Sequence, residues 1–316
     1  MTEFAETRFR AMGTEAHVIV VAADAGLLDL AERHVAWLED RWSRFRAASD
    51  VSLMNAMAGM PVRVEPETAL LVQLALEGYR LTEGRYDPTV LGAVVRAGYG
   101  RSYEQLGDAG ADVLDAGLLE RGASAIVVDE VAGTVTMPEG VGFDPGGIGK
   151  GLAADLVVGG LLAAGAAGAG VNLGGDVRVD GASPDDGGWL VGIEHPFRDE
   201  PTAVISLHGG AVATTSRVNR VLGAERQRHH VIDPATGESA QTGLASATAI
   251  AAEGWQAEIL AKAVFLAGAT EGRRLLAGPH TTPWSGTTGL LVDDGGATVR
   301  LARLDRYEVV PEGSAA

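Results

Sequence analysis

The side chains best suited to chemistry lie in a few short, glycine-rich segments. FDPGGIGKG (143–151) sets Asp144 and Lys150 around four glycines, just ahead of an apolar stretch that reads as a helix over 152–163. Main-chain N–H groups at a helix N-terminus suit an anion such as pyrophosphate, and Lys150 would add a point charge. The same residues would also serve as a tight β-to-α turn with a solvated lysine. HHVIDPATG (229–237) offers His230 as a proton acceptor near neutral pH or as a structural histidine bonded to a nearby turn, with His229 expected to be exposed. RYDPTV (85–90) places Asp87 before a proline, a common turn opener. NLGGDVRVDG (172–181) sets Asn172 and Asp176 on either side of a double glycine, lining a pocket or satisfying a turn.

The segment 255–268 (WQAEILAKAVFLAG) carries Glu258 and Lys262 four residues apart on a helix, with Trp255 and Phe265 on the same stripe. Ile259, Leu260 and Val264 cover the rest of the wheel. An exposed pair of this kind is worth about 0.2–0.5 kcal/mol. A helix apolar nearly all round is buried, however, and a buried Glu–Lys pair carries a desolvation cost that needs a reason.

Elements able to position these groups are readable along the chain. Residues 16–22 are rich in β-branched residues and predict a strand. Leu27, Ala31, Val35, Leu38 and Trp42 recur at helical spacing, so a helix spans about 26–44, with Phe45 at its end. Pro66 opens a second helix with Leu70, Leu74 and Leu81 on its stripe, and Gly84 can end it. Segments 124–128 and 133–137 predict a hairpin, as do 288–292 and 297–302. Further strands are expected at 170–173, 177–180, 189–194, 203–207, 211–214 and 246–252, a helix at about 255–267, and a frayed tail at 311–316. Strands and helices mix without regular β-α-β alternation, which predicts an α+β fold with mostly antiparallel sheets.

Composition narrows the function. Lys+Arg 25 against Asp+Glu 42 gives a formal net charge of −17 over 316 residues. That balance argues against nonspecific nucleic-acid binding and against a polybasic membrane anchor. The 44 glycines are about twice the usual ~7% share, and there is no cysteine for disulfides, thiolate metal sites or a Cys nucleophile. The first ten residues are polar and acidic, and the longest apolar run, 156–171, is too short and weakly hydrophobic to span a bilayer. The expectation is a cytoplasmic protein without membrane insertion. The common phosphate-loop, dinucleotide-fold, zinc-protease and serine-hydrolase signatures are absent from the sequence.

Taken in order, MGT (12–14), RYDPTV, FDPGGIGKG, NLGGDVRVDG, HHVIDPATG and the helix 255–268 resemble the ApbE family, the FAD:protein FMN transferases, over about residues 9–292. The resemblance implies an ApbE-like (T-fold-like) α+β unit spanning 1–316, with mostly antiparallel sheets flanked by helices and room for two interleaved lobes. It also implies that FAD is the substrate, that its FMN half passes to a Ser or Thr hydroxyl of a flavoprotein acceptor, and that AMP leaves. An FAD pyrophosphatase giving FMN and AMP, and an FAD-binding protein without transferase activity, are the alternatives. Magnesium against the pyrophosphate and a homodimer are both compatible with the family.

Carried over residue by residue, the resemblance sets Met12, Arg85, Tyr86 and Asp87 against the flavin, with Phe45 where relatives place a stacking ring. It puts Asp144, Gly146, Gly147, Lys150 and Ile232 in the FAD-binding set and His230 near the phosphates. The Gly147 carbonyl matches a main-chain metal ligand. In the closing helix, Glu258 and Lys262 stand where relatives carry an Asp and a Thr as metal ligands. Glu258 is therefore expected as a metal ligand. Lys262, which cannot coordinate a metal while protonated, is expected to neutralise pyrophosphate in place of the cation or alongside it. Thr214, Thr215 and Ser216 match a family turn, but Arg217-Val218 replaces the usual Gly-Asp and opens a basic stretch with Arg220, Arg226 and Arg228.

Overall fold

The structure, a computed structural model, describes residues 3–21, 26–100, 121–218, 221–222, 228–277 and 286–309. Its first strands and helices are β1 (Phe4–Ala11), β2 (Thr14–Val21), α1 (Gly26–Trp42), α2 (Asp50–Ala56), β3 (Pro61–Arg63), α3 (Pro66–Leu81) and α4 (Leu91–Arg96). Then come β4 (Val127–Asp129), β5 (Thr134–Thr136), α5 (Gly149–Ala163), β6 (Gly168–Leu173), β7 (Asp176–Gly181), β8 (Trp189–His195), β9 (Arg198–Leu207) and β10 (Gly210–Ser216). The chain continues with β11 (Val221–Leu222), β12 (Arg228–His229), β13 (Ile232–Asp233), β14 (Glu238–Ser239), β15 (Leu244–Ala251), α6 (Gly254–Ala277), β16 (Thr288–Asp293) and β17 (Thr298–Arg300).

The largest sheet has the order β1-β2-β6-β7-β10-β15-β16-β17, and every neighbouring pair is antiparallel. This bears out the α+β reading. Strand periodicity of two assigns its faces. In the central strands, Ala211, Ala213, Ala247, Ala249 and Leu291 pack with Leu260, Val264 and Phe265 of α6. Val212, Ile250, Leu290 and Val292 turn the other way, onto Trp189, Ile193, Ile205 and Leu207 of the β8–β9 hairpin. β15 is buried along its whole length. Its small residues let α6 lie close.

Towards the other edge, Val18 and Val20 of β2 and Val171 of β6 share a core with Val35 and Leu38 of α1 and Val157 and Leu161 of α5. The three-stranded sheet β3-β5-β4 contributes Val62 and Val135 to that same core. No helix among the described residues is long and apolar enough to cross a membrane.

The differences from the sequence expectations have local causes. The polar N-terminal segment forms β1, an edge strand whose charges alternate outward while Thr7 Oγ1 donates to Glu32 of α1. Met12 and Gly13 close the β1–β2 hairpin with φ of 51° and 69°. That is the left-handed pair a two-residue hairpin turn requires. α1 stops at Trp42 rather than 44, α5 starts at Gly149, and α6 continues past a break at Gly268 to Ala277. The tail at 311–316, Arg220 and Arg226 lie outside the described residues.

Candidate functional site

Two helices meet end to end beneath the site. A Cβ on Gly151 would stand 2.3 Å from the Gly254 carbonyl oxygen, and one on Gly254 would stand 2.4 Å from that of Gly151. Glycine is therefore what lets the N-terminal turns of α5 and α6 touch backbone to backbone. Each helix then caps the other. Glu258 of α6 accepts the Gly151 N–H through Oε2 at 2.8 Å, while Asp155 of α5 accepts the N–H groups of Gly254 and Trp255 at 2.7 and 2.9 Å. First-turn N–H groups have no partner within their own helix, so both carboxylates satisfy donors that burial would otherwise orphan. Asp155 also accepts from Arg178 Nε at 3.0 Å. Burial pushes its carboxyl up to about 7; the two N–H groups and Arg178 pull the other way, while the Glu253 charge adds to the rise.

Above that seam the loop 143–148 is tied to the turn at 85–90. Asn55 clamps Phe143 at both main-chain groups (Nδ2 to O 3.0 Å, N to Oδ1 2.7 Å), and Asp144 N donates to the Pro88 carbonyl at 2.8 Å. Gly147 fits only because it lacks a side chain: a Cβ would come 2.6 Å from Lys262 Nζ and 2.8 Å from the Tyr86 ring. Lys262 Nζ donates to the Gly146 carbonyl at 3.1 Å. Lys150, at the start of α5, pairs with Asp176 and stands 3.8 Å from Glu258 Oε1.

Tyr86 is 2% exposed, and its hydroxyl has no hydrogen-bond partner among the described residues. Burial, then the charges of Glu258, Asp144 and Asp87, hold its pKa well above the ordinary phenol value, so it is a neutral donor. Asp87 caps its own turn, accepting from Thr89 N at 2.8 Å and Thr89 Oγ1 at 2.5 Å.

An arginine that sequence reasoning did not single out organises the rim. Arg44 donates to the Tyr99 carbonyl at 2.7 Å, stands 3.6 Å from Asp144 Oδ1, and lies over the Phe45 ring at 4.2 Å. Burial lowers its pKa, against the pull of Asp144. Its partners are far away in the chain, so the only local signal was an arginine beside an aromatic residue.

These residues enclose two adjoining hollows. The smaller, about 330 Å³, is lined by Tyr86, Asp87, Val90, Val94, Asp144, Gly147, His230, Ile232, Pro234, Lys262 and Leu266. The larger, about 660 Å³, is lined by Gly146, Lys150, Gly174, Asp176, residues 213–216, His230, Glu258 and Lys262. His230 and Lys262 line both, at the junction. The His230 ring stands edge-on to Tyr99 at 6.0 Å.

The structure thus brings Tyr86, Asp87, Asp144, Gly146, Gly147, Lys150, His230, Ile232, Glu258 and Lys262 around one double hollow. Phe45 stands 45% exposed beside Arg44 and lines neither hollow. Met12 packs against the core from its turn, and Arg85 turns to Glu83 at 3.3 Å; neither lines the hollows. His229, expected to be exposed, is 2% exposed: its Nε2 meets the Ala240 carbonyl at 3.0 Å and burial lowers its pKa. Alternation along the short strand β12 turns His229 inward. Glu258, expected to pair with Lys262 or to hold a metal, accepts the Gly151 N–H through Oε2 and has Oε1 3.8 Å from Lys150 Nζ. Arg217, expected in a basic stretch, pairs with Asp294 at 2.7 Å.

Known proteins are similar to this chain in architecture and, in part, in sequence. The chain is 28% identical over 243 residues to the FAD:protein FMN transferase of Klebsiella pneumoniae, covering 74% of this chain and 73% of that one. It is 31% identical over 240 residues to that of Treponema pallidum, covering 71% and 66%. The crystal structure of the ApbE protein of Thermotoga maritima superposes with a TM-score of 0.85 at 28% identity, over 98% of this chain and all of that one. The flavin transferase ApbE of Vibrio cholerae superposes with a TM-score of 0.80 at 24% identity, which speaks to the fold. The ApbE family profile matches residues 12–283, a span that includes every residue lining the double hollow and the helices that build it, so the chain belongs to the ApbE family.

Proposed function

We propose that this chain is an FAD:protein FMN transferase, an enzyme that takes FAD as substrate and moves FMN to a Ser or Thr hydroxyl of a flavoprotein acceptor. The observation that carries the reading is the junction of the two hollows. A dinucleotide has two bulky ends joined by a pyrophosphate. Here two compartments join at the glycine-rich start of α5, beside Lys262 and His230. N–H groups at that helix start and the ammonium side chains favour the phosphates. The exposed Phe45 ring supplies an aromatic face for the flavin at the rim.

The reaction forms one bond and breaks one. The acceptor oxygen bonds to the FMN-side phosphorus, the bond from that phosphorus to the bridging oxygen breaks, and AMP leaves with that oxygen. His230 takes the hydroxyl proton. The protein's work in phosphoryl transfer is positioning and charge neutralisation. The neutral Tyr86 hydroxyl is available as a donor to the bound substrate, relieving a buried polar group otherwise left unpaired.

A magnesium ion does not fit the expected ligands. Glu258 has one oxygen on the Gly151 N–H and the other facing Lys150, and Lys262 brings an ammonium to the Gly146 carbonyl. Among the described residues no group of three or more His, Asp or Glu could hold a metal.

Incubation with FAD and an acceptor domain carrying a Ser/Thr flavinylation site tests the assignment. Flavin on the acceptor with stoichiometric AMP supports it. Free FMN and AMP without labelling would make the chain a pyrophosphatase, and bound, unchanged FAD would make it a binding protein.

A further inference from the structure

Among the described residues the largest sheet ends in a strand with one neighbour on either side, and the two ends are finished differently. β17 is three residues long, and the chain beyond it folds back so that Arg300 meets Glu308 at 2.8 Å. β1 is eight residues long, pairs with β2 in unbroken register from Phe4↔Val21 to Ala11↔Thr14, and contains neither proline nor lysine. Short length, bulges, prolines and lysines are the usual guards of an open edge. β1 has none of them, and its charges alternate in sign. The direction of its open main-chain groups follows from β2. The carbonyls of Glu15 and Val21 accept from Gly174 and Ala167, on the side away from β1. Antiparallel strands alternate between bonded and unbonded pairs. Phe4, Glu6, Arg8 and Arg10, opposite the odd-numbered residues of β2, therefore turn their N–H and C=O groups outward. Their side chains share the exposed face of the strand, where Glu6 also meets His17 at 2.8 Å.

We propose that β1 pairs antiparallel with β1 of a second copy of this chain, about a two-fold axis at Thr7, joining the two large sheets into one. The charge pattern selects that register. Glu6 of each copy lies opposite Arg8 of the other, in bonded pairs that exchange both main-chain hydrogen bonds. Phe4, 48% exposed, lies opposite Arg10 of the second copy, a guanidinium beside an aromatic ring. On the other face Ala5 meets Phe9, and Thr7 meets its own copy. Sliding the strands by two residues sets Glu6 against Glu6 in one direction and Arg8 against Arg8 in the other, and like charges directly opposite are destabilising. A two-fold contact of this kind uses the same patch on both copies and closes at a dimer. No residue of β1 lines either hollow, so the FAD reading stands or falls separately.

The test uses the full chain, followed by sedimentation velocity over a concentration series. The expected result is a species of twice the 32.5 kDa chain mass. Arg8→Glu and Glu6→Arg should each weaken dimerisation at least about tenfold, because both symmetry-related pairs then oppose like charges. Mixing the two variants should restore a dimer, since every facing pair is again of opposite sign. The chain has no cysteine, so Thr7→Cys adds a single thiol per copy. Residues on the axis form an unbonded pair with Cα atoms about 4.5 Å apart, within the reach of a disulfide. Oxidised glutathione should therefore link Thr7→Cys into a covalent dimer and leave Val131→Cys, at a fully exposed position elsewhere, unlinked. A chain that stays monomeric throughout the series overturns the pairing, as does a dimer that Arg8→Glu leaves intact, or folded single variants whose mixture stays monomeric. Thermal melts identify a variant that fails to fold. In that event the cysteine decides, and a Thr7→Cys chain that melts like the unaltered one but does not link overturns the pairing.

Discussion

The α5–α6 seam and the Phe45 rim, which reaches the hollows only through Arg44 and Asp144, are built in opposite ways. At the seam, two glycines let backbones touch, two carboxylates cap each other's helices, and Glu258 is 5% exposed. At the rim, Phe45 is 45% exposed and is steadied by one guanidinium over its ring. The seam holds its groups by backbone contact and by hydrogen bonds between the two helix ends. The rim offers a surface whose position is held only by side-chain contacts. Chemistry at phosphorus demands the first kind of construction, and contact with a flat aromatic ligand tolerates the second.

Substitutions should separate the two. The largest effect is expected from Gly151→Ala, whose methyl meets the Gly254 carbonyl and has no flexible neighbour to displace. Its cost belongs at or above the top of the ~1–3 kcal/mol range for overpacking, read as a drop in denaturation midpoint with loss of activity. Glu258→Ala comes next, because it orphans the buried Gly151 N–H. A loss of about 1–3 kcal/mol is expected, and Glu258→Gln, which keeps an acceptor oxygen, should lose less. A midpoint for Glu258→Ala equal to that of the unaltered chain would dissolve the idea of reciprocal capping.

Asp155 gives the seam a pH signature. With the folded-state pKa raised from 3.8 to about 7, the folded chain holds that proton more tightly than the unfolded one. The Asp155 contribution to stability therefore falls as pH rises from about 4 to about 7 and is flat above that. Asp155→Asn should flatten the midpoint-against-pH curve over that window, and an unchanged slope would assign the titration elsewhere. Phe45→Ala should be the mildest change to the fold. Its midpoint should stay within about 0.5 kcal/mol of the unaltered chain, while FAD affinity weakens by the ~0.5–1.5 kcal/mol an aromatic contact supplies, roughly two- to tenfold. Unchanged affinity would remove Phe45 from the flavin site.

The sequence made the rim's aromatic residue and the seam's glycines visible, but not how they are joined. Pro66 at the first turn of α3 and the apolar stripe of α1 were legible because their signals are local. So were the loop 143–151 and the helix carrying Glu258 and Lys262, since composition and spacing mark them. β1 escaped notice because an edge strand with alternating charges lacks a β-branched run. Arg44 was invisible because its partners, Tyr99 and Asp144, are 55 and 100 positions away. Glu258 was read beside its helical neighbour Lys262, yet its hydrogen bond goes to Gly151, 107 positions away. His229 shows the same limit: the short strand β12 turns it inward, and nothing in the local sequence distinguishes it from the adjacent His230, which lines both hollows as expected.

The reaction proposed for this double hollow is the transfer of FMN to a protein hydroxyl. Its most direct test is the intact mass of a flavoprotein acceptor after incubation with this chain and FAD, alongside an acceptor whose target Ser or Thr is changed to Ala. The expected result is an increase of one FMN, bonded through phosphate, on the first acceptor and none on the second, with His230→Ala abolishing it. An acceptor of unchanged mass while FAD is consumed, or while FAD stays bound and intact, would contradict it.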